Sequence, residues 1–170
     1  LSHGALRVER LESQNTTHRE ILARAGECDD PSLELCFETA TCIEEADGVT
    51  TMFPHRGAVF RSLLGKWNRR APSVLELDLT RAEIEANVIE KPDAKSYSTH
   101  SVLTNRVTTD DGENRNLFKQ GFTGDCVYAF KSASESVENA VTALALFGAY
   151  SGVGSAVARG CGCVEVSVEG

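Results

Sequence analysis

Near its end the sequence runs Ala149-Tyr-Ser-Gly152-Val-Gly154-Ser-Ala-Val-Ala-Arg159-Gly160-Cys-Gly162-Cys, with four glycines in the pattern G-x-G-x5-G-x-G. The apolar positions Val137, Ala140, Val141, Leu144 and Phe147 precede it at helical spacing, and an alternating strand, Cys163 to Val168, follows. Glycines so spaced admit left-handed backbone and let N–H groups approach a ligand closely, most often an anion. The order helix–loop–strand is the stronger constraint. A dinucleotide fingerprint needs strand–loop–helix, with its third glycine at the position of Val157. A nucleotide-phosphate loop needs Gly-Lys-Ser/Thr ahead of a helix, and that is absent. A helix end at Gly152 and a turn at Gly154 would explain only part of the pattern.

The rest of the chain alternates between strand and helix signals. Residues 5–11 read as a strand. Thr16 or Thr17 can cap a short helix, about His18 to Ala25, with Glu20 three residues after Thr17 as a capping box, and Gly26 to Pro31 reads as a linker. Leu33, Leu35, Phe37, Thr39, Thr41 and Ile43 alternate as a half-buried strand. Pro54 opens a helix over about 55–69, with Phe60, Leu63, Leu64 and Trp67 on one arc and Arg61, Lys66, Arg69 and Arg70 opposite. Residues 73–79 read as a short strand or edge. Thr80 with Glu83 caps a helix to about Asn87, 88–105 is β-rich, and 108–116 is a polar turn. Phe118, Phe122, Tyr128 and Phe130 lie on one face of a long strand, where they suit core packing better than base stacking. Ser132 with Glu135 offers a capping box for the last helix. From residue 33 the order fits an α+β, ferredoxin-like (RRM-like) β-α-β-β-α-β domain at 31–170, with an insertion around 73–116. Residues 1–30 read as the end of a preceding ferredoxin-like domain plus a linker helix.

Charge is distributed unevenly. The net charge is −8 over 170 residues, yet residues 48–75 hold five basic side chains (Arg56, Arg61, Lys66, Arg69 and Arg70) and no acidic one. Such an island in an acidic chain points to phosphate contact as readily as to a solvated surface. Arginine outnumbers lysine 12 to 5, which suggests a halophilic source. There, high salt would throw more of any nucleic-acid affinity onto hydrogen bonds. No apolar run is long enough to span a membrane. The chain opens on Leu, so a leader or an upstream domain is compatible with it. None of the six cysteines forms a CxxC pair, which fits a reduced, cytoplasmic protein; Cys161 and Cys163 are the only spacing that suggests a metal.

Four segments together resemble the RAMP superfamily of CRISPR-associated proteins, and within it the precursor-RNA-processing endoribonucleases. Leu35-Cys-Phe37-Glu-Thr39-Ala-Thr41 is similar to their Phe-x-Thr-Pro-Thr strand. Pro54 through Val59-Phe60-Arg61-Ser62-Leu63 to Trp67-Asn68 is similar to their helix motif, Gly121-Phe122-Thr123-Gly124 to a strand start, and 149–163 to their glycine-rich signature. Ala40 stands where the family usually has proline, and Ser155 where a basic residue often follows the second glycine. The resemblance implies that CRISPR repeat RNA is bound and cleaved without metal or other cofactor. The 2′-hydroxyl would attack the adjacent phosphate and leave a 2′,3′-cyclic phosphate. That reaction needs a base, an acid and donors to the phosphorane. Candidate RNA-binding residues are Gly152, Gly154, Ser155, Arg159, Gly160 and Gly162 in the loop, with Arg56, Arg61, Lys66, Arg69 and Arg70 on the helix. His100, His55 and Tyr150 are catalytic candidates, and Tyr97 and Ser101 weaker ones. His3 and His18 fall in the linker. In many members the catalytic histidine lies in a first domain. A homodimer, or membership of a multisubunit interference complex, belongs to the same expectation. Two alternatives stay open: a non-catalytic RAMP subunit holding guide RNA, and an unrelated ferredoxin-like domain that binds a small anion.

Overall fold

Glu20 N–H donates to Thr17 Oγ1 at 3.2 Å while Thr17 N–H donates to Glu20 Oε2 at 2.7 Å, and this reciprocal cap starts α1 (His18–Ala25) where local spacing places it. The computed structural model describes residues 9–10, 15–45, 48–108 and 113–170. Of the strand expected at 5–11, only 9–10 are described, and they carry no regular structure; His3 also lies outside the described residues.

The order then runs β1 (Ser32–Thr41), β2 (Ile43–Glu44), β3 (Thr50–Thr51), α2 (Arg56–Asn68), α3 (Arg81–Asn87), β4 (Val88–Pro92), β5 (Ser98–Thr108), β6 (Asn114–Phe130), α4 (Glu135–Ser151) and β7 (Val164–Glu169). The main sheet has the order β4-β6-β1-β7, every neighbour antiparallel. With α2 joining β1 to β4 and α4 joining β6 to β7, this is the ferredoxin-like arrangement. β4 falls inside the stretch expected to be an insertion, yet it supplies the edge strand of the sheet. β5 pairs with the first half of β6 and β4 with the second half, so the β5–β6 hairpin runs outward as an arm.

The alternation in the sequence becomes one buried face. Leu33, Leu35 and Phe37 of β1 and Phe122, Cys126 and Tyr128 of β6 meet Val59, Phe60, Leu63 and Trp67 of α2 and Val141 and Leu144 of α4. Phe37 packs edge-on against Phe122 at 5.0 Å and Phe60 against Tyr128 at 5.1 Å, while the Tyr128 hydroxyl donates to Pro54 O. Phe122 and Tyr128 are thus core residues, whereas Phe118, out on the arm, is 55% exposed. α1 joins the same core through Ile21 and Ala25, and its His18 ring stands edge-on to Trp67 at 4.5 Å.

Three local expectations are corrected. Residues 73–79 form no strand; a 3₁₀ turn, Ser73–Leu75, opens the segment. Its backbone is satisfied by side chains instead: Trp67 Nε1 donates to Leu75 O, Asn68 Nδ2 to Leu77 O, and Leu77 N–H to Asn68 Oδ1. The last helix is capped by Ser134, which accepts from Val137 N, and not by Ser132, whose φ of 55° is incompatible with a cap. Finally, 114–116 belong to β6, paired with 106–108, although the tip at 109–112 is not among the described residues.

Candidate nucleic-acid interface

The glycine loop is held in place by its own backbone. Gly152 ends α4 with φ 62°, and Gly154, Gly160 and Gly162 also have positive φ. At three positions a side chain is excluded, Gly152 among them because its Cβ would stand 2.8 Å from Gly162 O. A Cβ on Gly162 would stand 1.9 Å from Val153 O, and one on Gly154 would stand 2.4 Å from Cys42 O. The N–H groups of the loop are largely spent inside the protein. Val153 N–H donates to Gly162 O, Gly154 N–H to Ser62 Oγ, Ser155 N–H to Cys42 O and Gly162 N–H to Ala40 O. β1 reaches the loop because its register shifts between Phe37 and Thr41, a bulge that carries Ala40 and Cys42 under the glycines. These glycines therefore provide close backbone packing, and few of their amides remain to meet an anion.

Charge comes from the neighbouring helix. A groove of about 430 Å³ lies between α2, β2 and the loop, lined by Arg61, Ser62, Lys66, Arg69, Glu44, Glu45 and Gly154–Ser155. Phe60, Leu63 and Trp67 are buried and Leu64 is half-buried, so the amphipathic helix faces as its pattern predicts. Arg61, Arg69 and Arg70 are exposed and have no carboxylate partner among the described residues. Lys66 is directed inward. Its Nζ donates to Gly152 O at 2.7 Å and Ser151 O at 3.3 Å, the closing carbonyls of α4, where a cation complements the helix dipole. Burial, then Arg70 and Arg69 nearby, pull its ammonium down to about 8.

Arg56 is engaged elsewhere: its Nε donates to Glu85 O and its guanidinium pairs with Glu90, which fixes the start of α2 against α3 and β4. Arg159 closes a 3₁₀ turn in the loop, Val157–Arg159, and is exposed. The groove's own carboxylates are each held by a base from another element. Arg81 of α3 meets Glu45 at 3.0 Å, and Lys119 of β6 meets Glu44 at 2.5 Å and Ser155 Oγ at 3.1 Å. Lys119 has no mark in the sequence beyond a loop serine with no charge beside it.

The catalytic candidates are dispersed. His55 occupies the N-cap position of α2 with Nε2 3.9 Å from Glu90 and Nδ1 buried without a partner among the described residues. His100 stands exposed on β5, Nε2 2.8 Å from Thr123 Oγ1. Tyr150 is on α4, half exposed, beside Thr16 and Glu20. The Tyr97 hydroxyl is taken up by Met52 O, and Ser101 Oγ accepts from Gln120. All six cysteines are free thiols; Cys161 is buried, and Cys163 donates to Glu38. Burial pushes Cys42 and Cys126 up to about 11, and a hydrogen bond to Asp125 does the same for Cys36. Among the described residues no three His, Cys, Asp or Glu side chains are grouped to hold a metal, and no helix is long and apolar enough to cross a membrane.

No curated protein matches the sequence significantly. Solved structures do. A Cas6 (TTHA0078) product complex superposes with a TM-score of 0.64 and 22% identity over 89% of this chain and 56% of its own. Thermus thermophilus Cas6 (TTHB231) gives 0.66 and 20% identity over 86% of this chain and 57% of its own. The chain therefore spans less than three-fifths of the length of these structures, and at that identity the likeness concerns the fold. The sequence model of the CRISPR-associated endoribonuclease Cas6 matches residues 35–164, from the middle of β1 to the start of β7, and so takes in α2 and the whole glycine loop. On that match, the chain belongs to the Cas6 family of CRISPR-associated endoribonucleases.

Proposed function

We propose that this chain binds CRISPR repeat RNA along the α2–loop groove and contributes to its endonucleolytic cleavage. The observation that carries the reading is that Arg61 and Arg69 line the groove beside the glycine loop, with Arg70 next along the chain, and that none of the three has a carboxylate partner among the described residues of a chain of net charge −8. Unpaired, exposed guanidiniums favour a polyanion that can give each a bidentate partner. The Cas6 complexes with product and with a substrate mimic supply the analogy for the ligand.

The chemistry follows from RNA itself. A base takes the 2′-hydroxyl proton, the oxygen attacks the adjacent phosphorus, and an acid protonates the departing 5′-oxygen, leaving a 2′,3′-cyclic phosphate. Arg61 and Arg69, with Arg159 across the loop, would neutralise charge on the phosphorane oxygens. His55, His100 and Tyr150 are the candidates for proton transfer within the chain. They lie on three separate elements, which favours a base supplied by another part of the full machinery. Residues 1–30 would then join this domain, 31–170, to a preceding one.

Incubating the chain with labelled repeat RNA in EDTA tests the reading. Cyclic-phosphate products support a base within the chain, and binding without cleavage supports one outside it. Absence of binding to repeat RNA at low salt would overturn the reading altogether.

A further inference from the structure

The geometry of Ser155 is fixed on one side only. Its N–H and its hydroxyl both donate to Cys42 O, at 2.7 and 3.0 Å, so its oxygen presents acceptor lone pairs to the other side. Lys119 Nζ fills that direction at 3.1 Å and reaches Glu44 Oε1 at 2.5 Å. Both partners line the groove, yet Lys119 rises from β6, a central strand of the sheet. The two ends of the ion pair differ. The lysine side chain is 26% exposed and tied to the loop, whereas the glutamate is 48% exposed on the two-residue strand β2. An ion pair this wet contributes little to stability, so its anion is readily exchanged.

We propose that Lys119 and the Ser155 hydroxyl form a phosphodiester subsite of the groove, and that Glu44 occupies it until RNA arrives. The assignment rests on the RNA reading above. A phosphodiester carries one negative charge, as the carboxylate does, so the exchange leaves the local charge unchanged while Glu44 turns out to solvent. Ser155 then acts as a positioning residue: it aims a cation from β6 at the loop, whose own residues at this point carry no charge. Lys119 has three donors, one spent on Ser155, which leaves two for phosphate oxygens.

Binding of labelled CRISPR-repeat RNA to the full chain, titrated in salt, tests the subsite. Lys119→Met should weaken binding about tenfold and reduce the log–log salt slope by about 0.7–1. Lys119→Arg should keep most of both. Glu44→Gln should tighten binding about threefold in the native background and lose that gain in Lys119→Met, because the coupling runs through one pair. An unchanged salt slope in Lys119→Met, with only a lower Tm, would overturn the proposal and leave the lysine as a tie between strands. An equal gain from Glu44→Gln in both backgrounds would overturn the exchange of Glu44 for phosphate. Arg61→Gln with Arg69→Gln is run alongside. If that pair leaves binding unchanged, the groove reading falls; if it weakens binding while Lys119→Met does not, only the subsite falls.

Discussion

The glycine loop and helix α2 form opposite walls of one groove, and they contribute by different means. The loop is conformationally specialised and its amides are largely spent: Gly152, Gly154 and Gly162 are forced by backbone contacts as close as 1.9 Å, and its N–H groups bond to Cys42, Ala40, Ser62 and Gly162. The helix is conformationally ordinary and chemically open: Arg61 on it, and Arg69 and Arg70 at its end, have no carboxylate partner among the described residues. A conspicuous glycine motif can therefore serve mainly as a device for shape; on the proposed reading, most of the charge that meets RNA comes from the helix beside it, and the loop adds the Ser155 hydroxyl.

The sharpest way to break this comparison is to add a methyl group to the loop. Gly162→Ala places Cβ against a backbone oxygen at φ 70° and should cost roughly 3–5 kcal/mol, a Tm drop on the order of 10 °C by calorimetry. Next comes the helix. Arg61→Gln with Arg69→Gln should leave Tm within about 2 °C but weaken RNA binding by about tenfold or more, with the salt slope lower by about 1.4 for single-stranded contacts. Gly160→Ala is the discriminating variant, because nothing lies within 4 Å of its added methyl. It should cost only about 1 kcal/mol of positive-φ strain and leave RNA affinity unchanged. A large affinity loss there would return recognition to the loop.

The smallest effect concerns pH. Lys66 titrates near 8 in the folded chain, below the usual lysine range, so the folded state releases its proton first as pH rises. Stability from this group should therefore increase between about 8 and 10.5, while RNA affinity falls modestly above 8 as the charge near the groove is lost. Lys66→Met should flatten both profiles, read by denaturation and by binding at matched ionic strength.

Legibility in the sequence follows the range of the interaction. The capping boxes at Thr17 and Thr80 and the apolar stripes of α2 and α4 are set by neighbours within a few residues, and they stand where the pattern places them. Segment 73–79 is misread because Trp67 and Asn68 take the backbone bonds that a neighbouring strand would otherwise make. Ser132 and Ser134 offer equal capping chemistry, and only backbone conformation separates them. At the site, the basic face is legible from helical period, but its division is not: Arg56 and Lys66 turn to protein partners 29 and 86 residues away along the chain. Lys119 is invisible for the same reason, since it meets Glu44 and Ser155 at separations of 75 and 36 residues.

The position of β1 between β6 and β7 has a consequence for the order of events during synthesis. Leu33 pairs with Tyr128 on one edge and Val168 on the other. Both partners emerge from the ribosome on the order of 100 residues after β1, many seconds at ordinary elongation rates. Until then this apolar strand has two unsatisfied edges, and the central pairing of the sheet must wait for distant segments. The nascent chain is thus most exposed to aggregation before β6 emerges, and one edge of β1 stays bare until β7 follows. Losing β7 would leave β1 as a bare edge and remove the strand that follows the glycine loop.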